Sequence, residues 1–462
     1  MKISFYGAAR EVTGSCYLLE TSGGTPAGRN ALRRAGSRVL VDCGMFQGCN
    51  TCDVKNLTEL PFDAASIDAV FLTHAHLDHC GRIPKLVRDG FRGKVYGTPP
   101  TLDLAELVML DAVGIMRGDL KREGIAMLYE EEDVALAINQ FAGVDYSRDV
   151  KVGDVTARPR DAGHIFGSAF WEFEDGAGKR VAFSGDLGND GNRILKPTAQ
   201  LAAVDALIIE STYGNRVHED ESARETKLRD VVGQTIKNEG VLIIPAFAID
   251  RTQQILFELN HLIENGIVPE VPMYLDSPMA IKATEIMKSY PQYYNKDAQA
   301  LAATGDDLFD FPGLTLTLSR DESKFINDAP KPKVIIAGSG MMNGGRIQHH
   351  LVRYLSDKNS TVLIVGYQAG GTLGRDLYEG KKVVNVLQER VHVNARITSI
   401  GAYSAHADQK KLARWAVGAE EKPKRVIVTH GEDAAAVALA THFQEHLGIP
   451  AVAPHFGDTI DV

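Results

Sequence analysis

The segment THAHLDH, Thr73 to His79, places three histidines and an aspartate within six residues, in a chain with only 14 histidines among 462 residues. Imidazole and carboxylate are zinc ligands, and a catalytic zinc keeps one position open for water. In an extended loop His74 and His76 project to the same side, while Asp78 and His79 can turn toward a second point. One short segment could therefore serve two neighbouring metal ions. Two ions need more ligands, and the later candidates are His164 in RDAGHIFGSA, Asp186 in FSGDLG and His430 in VTHGE. Glycines on either side of His164 let the backbone approach a metal closely. A carboxylate such as Asp186 can bridge ions ~3.5–4 Å apart, the separation used by two-metal hydrolases. Asp42 in VDCG reads as a residue behind the ligands, accepting a hydrogen bond from a ligand imidazole. Alone, His164 or His430 would read as a structural histidine; the cluster reverses that reading.

These side chains need elements that carry them to one place. Short apolar runs alternate with helical patterns along most of the chain, which indicates α/β layers. Strands are expected at KISFYG, RVLVDCG, DAVFLT, KVYGT, RVAFSGD, DALIIES, GVLIIPA, KVIIAGSG, TVLIVGYQ and RVIVTHG. Asp42, His74, Asp186, Glu210 and His430 each stand at or just past the carboxyl end of such a strand, the edge where open sheets build their sites. Thr21 to Ser37 is glycine-rich and basic and is expected to be an exposed excursion between two strands, and Asn295 to Asp310 a polar loop.

The bulk numbers set limits. A length of 462 residues suggests two or three domains. A formal charge of −10 argues against a protein that coats polyanions, yet leaves room for a nucleic-acid enzyme whose cleft has its own local field. No apolar run approaches a bilayer span, and MKISFYGAAREVTGS reads as a strand and turn rather than a signal peptide, so no membrane and a cytoplasmic location are the expectation. The five cysteines, Cys16, Cys43, Cys49, Cys52 and Cys80, are too few and too clustered for a disulfide framework. Cys49 and Cys52 have the C-x-x-C spacing without a second pair, and are read as reduced thiols near the surface rather than a zinc knuckle.

The set VDCG, THAHLDH, DAGHIFGS and SGDLG resembles the metallo-β-lactamase superfamily, whose fold is an αββα sandwich with metals at one edge of two sheets. ESTYG, GAYSAHAD and VTHGE, in that order, resemble the three further motifs of its β-CASP nuclease branch, and PAFAIDRTQQ, DSPMA, AGSGMMNGGR and GYQAGGTLGR match it as well. The resemblance implies a metallo-β-lactamase domain over residues 1–212 and 393–462, interrupted by an α/β β-CASP domain over 213–392. The short bacterial and archaeal RNA-cleaving members, similar to the nuclease subunit of the pre-mRNA cleavage and polyadenylation complex, are the expected relatives. It implies two zinc ions per chain. One is held by His74, His76 and His164, the other by Asp78, His79 and His430, with Asp186 bridging. His406 resembles the family's general acid, and Glu210 the carboxylate that orients it. His406 could otherwise be a helix-start residue, since Asp408 reads as the N-cap of QKKLARWAV. Glu210 could be half of a structural ion pair. Histidine at His430 places the chain on the RNA side of the branch, because DNA-processing members usually carry valine there. A homodimer is the common assembly in this family.

A phosphate-binding loop is a separate reading. VIIAGSGMMNGGR runs from a strand through glycines into the helix RIQHHLVRYL, and backbone amides at such a start bind phosphate. Ser339 and Arg346 could hold the group flanking the scissile one, with Arg375 and Arg251 tracking the backbone. The same turn is also common for packing alone. His349 and His350 are expected to face solvent or helix neighbours. The expected activity is hydrolysis of single-stranded RNA by water activated between two metals, with Asp78 and Asp186 at the reacting centre. The alternative is a thioester or lactone hydrolase of the same superfamily, which would have no use for so large an inserted domain. A non-catalytic RNA-binding scaffold would not need a complete ligand set.

Overall fold

A computed structural model describes residues 1–23, 36–48, 51–218, 224–366 and 368–462. All ten expected strands form. The chain divides into two compact units, the first comprising Met1–Asn189, Pro197–Val217 and His406–Val462, the second Asp190–Lys196 and His218–Ala405.

The first unit is built on two sheets. Among the described residues one runs in the order Thr459–Asp461, Lys2–Phe5, Tyr17–Glu20, Arg38–Val41, Ala69–Phe71, Lys94–Gly97, Phe141–Gly143. The other runs Ala451–Val452, Arg425–Val428, Ala206–Ile209, Arg180–Phe183, Ala169–Glu174, Val155–Asp161, Val150–Val152. The two-residue period of a strand explains the layers. Trp171, Phe173, Val181, Phe183, Ala206 and Ile208 pack with Phe5, Leu19, Val39, Val41 and Phe71 of the first sheet. Their neighbours Phe170, Ala182, Leu207 and Ile209 point the other way, against Leu412, Trp415 and Ala416 of helix Gln409–Val417 and Leu439 and Phe443 of helix Asp433–Leu447. Leu18, Leu40, Val70 and Val95 on the far side of the first sheet are equally buried, so that sheet too is covered on both faces. This is the αββα arrangement.

The second unit holds a parallel sheet in the order Leu314–Leu316, Met273–Asp276, Lys333–Ala337, Val241–Pro245, Thr361–Ile364, Arg396–Ser399. Its central strands, VLIIP and KVIIA, are buried at every position, as a parallel sheet covered on both faces requires. Three expectations are corrected here. The second unit extends to Ala405 rather than 392, because Arg396–Ser399 hydrogen-bonds to Thr361–Ile364 as its edge strand. It also takes in residues 190–196. Asn295 to Asp310 is no plain loop: Asn295 caps helix Lys296–Ala303 by accepting from the Ala298 amide, and KDAQALAA is rich in good helix formers.

Tyr17–Glu20 and Arg38–Val41 pair antiparallel, with the Thr21 amide donating to Ser37 O at 3.0 Å. The interior of the Thr21–Ser37 segment, 24–35, lies outside the described residues. Cys16, Cys43 and Cys80 are buried free thiols. Cys52 is buried and disulfide-bonded, against the expected reduced surface thiol, and Cys49 lies outside the described residues. No helix among the described residues is long and apolar enough to cross a membrane.

Phe71 stacks on Tyr96 of its own sheet at 5.3 Å and joins the first sheet to the second through ring contacts with Trp171 and Phe173, both at 5.0 Å. It ends the strand that leads into THAHLDH. Phe71→Ala is expected to destabilise the first unit by about 3–5 kcal/mol. Urea unfolding followed by tryptophan fluorescence measures this, since Trp171 and Trp415 both lie in that unit; an unshifted midpoint would mean that the ring cluster does not hold the sheets together.

Candidate metal centre

Five strand ends of the first unit deliver polar groups to one rim. Asp42 follows Val41, His74 comes just after Phe71, Asp186 after Phe183, Glu210 directly after Ile209 and His430 after Val428. Two of these have backbones in the left-handed region, Asp42 at φ 60° and His430 at φ 48°. A non-glycine residue there costs on the order of 1–3 kcal/mol, and the surrounding structure must hold it. The Asp42 side chain takes the Thr73 amide at 2.8 Å and the Thr73 hydroxyl at 2.9 Å, while the His430 amide donates to Ala8 O at 2.7 Å.

Two glycines let the loops meet. A Cβ on Gly44 would lie 1.6 Å from Asp78 O, and one on Gly188 would lie 1.7 Å from Gly163 O. The first contact seats the HLDH turn and the second seats the loop of His164. The glycines are visible in VDCG and SGDLG, but their long-range partners are not.

His74, His76, His164 and Asp186 offer ligand atoms that all lie within 4.8 Å of one another, and Asp78, His79 and His430 do the same. In the first set, His74 Nε2 is 3.0 Å from His76 Nδ1, and His164 Nε2 is 3.4 Å from that same atom. Asp186 Oδ2 lies 3.4 Å from the Nε2 atoms of both His74 and His164. In the second set, His79 Nε2 faces His430 Nε2 at 3.1 Å, and Asp78 Oδ2 is 3.3 Å from the latter. Asp186 Oδ1 reaches this set, 3.4 Å from His79 Nε2. The two oxygens of one buried carboxylate thus face one set each.

Asp42 Oδ2 lies 2.7 Å from His79 Nδ1, which turns Nε2 toward the second set. Thr73 Oγ1 lies 3.0 Å from His74 Nδ1 and does the same for the first. With protein charges alone, burial drives His74 far toward its neutral form and lowers His76 to about 3. For His79 burial is outweighed by Asp186, Asp42 and Asp78, which raise it to about 10. Burial raises the Asp186 carboxyl against the pull of the imidazoles.

The residues fit a metal on their own terms. Imidazole nitrogens of the two sets converge to within 3.0–3.4 Å of one another, and Asp186 Oδ1 is buried with no hydrogen-bond partner. A buried oxygen left unpaired at the centre of six ligand nitrogens and carboxylates is the place a cation would satisfy.

Glu210 and His406 stand beside these sets. His406 Nδ1 lies 3.2 Å from Glu210 Oε2, and the Leu187 amide donates to Oε1 at 2.6 Å. Burial opposes charge on His406, but Glu210 and Asp186 outweigh it and raise the imidazole to about 9. Glu210 is lowered despite its burial, chiefly by His406. Asp408 caps helix Gln409–Val417, accepting from the Lys411 amide, so the helix start fixes the backbone two residues beyond His406.

The four residues expected to handle phosphate lie in the second unit, and the structure gives them internal partners. Arg346 Nη1 binds Asp276 Oδ1 at 2.7 Å and Thr317 O at 3.0 Å, while Nη2 binds Leu318 O at 2.7 Å. His350 is not solvent-facing: it is buried with Nε2 2.7 Å from Asp276 Oδ2. Asp276, from the DSPMA motif, also accepts from Thr317 and Ser323; His350 first, then these hydroxyls and Arg346, hold it well below the usual carboxylate range in spite of burial. Arg251 is buried, bonded to Gln254 and 5.6 Å over the Tyr403 ring. Arg375 pairs with Glu379 at 2.6 Å, and Ser339 Oγ donates to Gly344 O at 3.2 Å.

Arg346→Ala is therefore expected to destabilise the second unit by on the order of 3 kcal/mol, because the buried Asp276 would lose its guanidinium partner and the Thr317 and Leu318 carbonyls their donor. Calorimetry resolves the effect. An unchanged transition together with weaker RNA binding would restore Arg346 to the phosphate role.

Comparisons with known proteins match three stretches of the chain. Residues 31–208 match the model of a metallo-β-lactamase superfamily domain, 252–377 that of the β-CASP domain, and 390–454 that of a Zn-dependent metallo-hydrolase RNA specificity domain. Ribonuclease TTHA0252 of Thermus thermophilus is 37% identical over 95% of both chains. Transcription termination factor FttA of Methanosarcina mazei is 34% identical over 97% of this chain and 70% of its own. An RNase J-like protein of Methanocaldococcus jannaschii is 32% identical over 100% of this chain and 99% of its own. A solved structure of a protein of unknown function from Enterococcus faecalis shares the fold, with TM-score 0.53 at 11% identity over 99% of each chain.

Proposed function

The chain belongs to the β-CASP branch of the metallo-β-lactamase superfamily, and from that premise we propose that it is a zinc-dependent ribonuclease acting on single-stranded RNA. The observation that carries this reading is the pair of ligand sets sharing Asp186, with the Glu210–His406 pair beside them. The relatives named as a ribonuclease and as RNase J-like, and the RNA-specificity model over 390–454, support RNA as the substrate.

Two zinc ions held by His74, His76, His164 and by Asp78, His79, His430 would supply an acidified water and positive charge beside the phosphoryl oxygens. The chain's own groups do the rest. Asp186 keeps the two sets in register through its two oxygens. Asp42 and Thr73 hold the ligand imidazoles in one tautomer and aim. Glu210 engages Nδ1 of His406, so the proton available for transfer sits on Nε2, and it passes to the departing 3′ oxygen. Attack by water leaves 5′-phosphate and 3′-hydroxyl ends, whereas attack by the neighbouring 2′ oxygen would leave a cyclic phosphate.

Elemental analysis is expected to find about two zinc ions per chain, with His76→Ala and Asp186→Ala each losing metal. Metal content unchanged in both variants, or iron in place of zinc, would end the zinc assignment. His406→Ala should keep its metal and lose turnover by roughly 10²–10⁴-fold, the usual worth of a positioned proton donor. Cleavage of end-labelled RNA, run beside a generic thioester, measures it. Preference for the thioester, or near-normal RNA turnover in His406→Ala, would refute the substrate or the acid respectively.

A further inference from the structure

The second unit's sheet ends on Arg396–Ser399, which pairs with Thr361–Ile364 on one side and, among the described residues, with no strand on the other. Along that edge lies a cavity of about 360 Å³ whose walls include Tyr378, Lys381, Lys382, Arg396, Thr398 and Ser399. Its volume is in the ~300–1,000 Å³ range of small-ligand sites. Tyr378 is 59% exposed, which leaves a ring face open at the cavity wall for a base to stack on. Lys381 is paired with Asp376 at 2.7 Å, but the exposed side chains of Lys382 and Arg396 have no carboxylate partner among the described residues. Arg396 also borders a second cavity of about 570 Å³ shared with Arg229 and Gln234, where Arg229 is already neutralised by Asp230 at 2.8 Å. The groove thus continues past Arg396.

We propose that this groove is a subsite for single-stranded RNA, in which a base stacks on Tyr378 and the adjoining phosphate is held by Lys382 and Arg396. An aromatic face beside unpaired cations is the chemistry that tracks a single strand, since every base has a face to stack and every linkage a charge to meet. An exposed strand edge could also add a strand from a second copy. Here two copies would bring Arg396 and Lys382 of each chain together, and like charges oppose that pairing. In a chain of net charge −10, two uncompensated cations on one groove mark a place where a polyanion is tolerated.

The inference rests on the ribonuclease reading, so the experiment separates the two. Anisotropy of a labelled single-stranded oligoribonucleotide is followed with salt for the full-length protein, for Tyr378→Ala, for Tyr378→Phe, and for Lys382→Gln combined with Arg396→Gln. Tyr378→Ala should weaken binding roughly 5- to 150-fold, as loss of one stacked base does, and Tyr378→Phe should restore it. The double variant should flatten the slope of log K against log salt by about 0.7–1.4. Thermal unfolding of each variant at the wild-type temperature establishes that the fold is kept; these side chains are exposed. Wild-type RNA binding with no change in any variant would overturn the subsite alone. Absence of both RNA binding and RNA cleavage in the wild type would overturn the ribonuclease reading beneath it. A double variant that changes the sedimentation state while its RNA affinity stays at the wild-type value would make the edge a contact between copies of this chain, and would also overturn the proposal.

Discussion

A carboxylate buried among imidazoles constrains the rest of this molecule. Asp186 has both oxygens out of solvent, one aimed at His74 and His164, the other at His79 and left without a hydrogen-bond partner. An unpaired buried charge costs several kcal/mol in a protein interior. Among the described residues no lysine or arginine pairs with Asp186; the groups around it are the imidazoles and carboxylates of the two candidate ligand sets. Cations between those side chains would satisfy that oxygen, and the surrounding contacts hold the side chains in place.

That holding begins in the sheets. Alternation along Ala169–Glu174, Arg180–Phe183 and Ala206–Ile209 locks each strand between the sheet-to-sheet core and the helices behind it. A slip of one residue would exchange both faces at once, so the register of each strand end is fixed to within a single residue. The polar residue that follows each strand inherits that precision. The left-handed backbones of Asp42 and His430 show where it is used most tightly: each turns its side chain back into the rim directly after an apolar strand, and each is tied down by hydrogen bonds from another part of the chain.

Much of this was legible in the sequence because it depends on short-range pattern. Strand runs, the H-x-H-x-D-H spacing and the Asp408 cap all involve neighbours within a few residues. What was not legible depends on partners far apart in the chain. Arg346 and His350 look like a free cation and a surface histidine beside a glycine-rich turn, but Asp276, 70 and 74 residues earlier, claims both. Arg251 sits beside a charged motif, yet it is enclosed with Tyr403, Glu258 and Arg224 in the interior of its unit. The compact second unit runs to Ala405 rather than 392 for the same reason, since Arg396–Ser399 pairs in parallel with Thr361–Ile364, a pairing that no local spacing announces. The polar stretch after Asn295 reads as a loop because its helix is short and half exposed, so its pattern carries little apolar period.

The inward turn of those arginines bears on how an acidic chain engages a polyanion. Affinity for RNA scales with the number of backbone charges met by cations that are free to meet them. A guanidinium whose donors already hold a buried aspartate and two carbonyls, as those of Arg346 do, offers few to a phosphate. Engaging one would also expose Asp276 to the loss of its partner. Arginines of this kind fix the shape of the second unit and contribute little to the field outside it. Surface cations without carboxylate partners are therefore the ones free to meet a phosphate, in a chain of net charge −10.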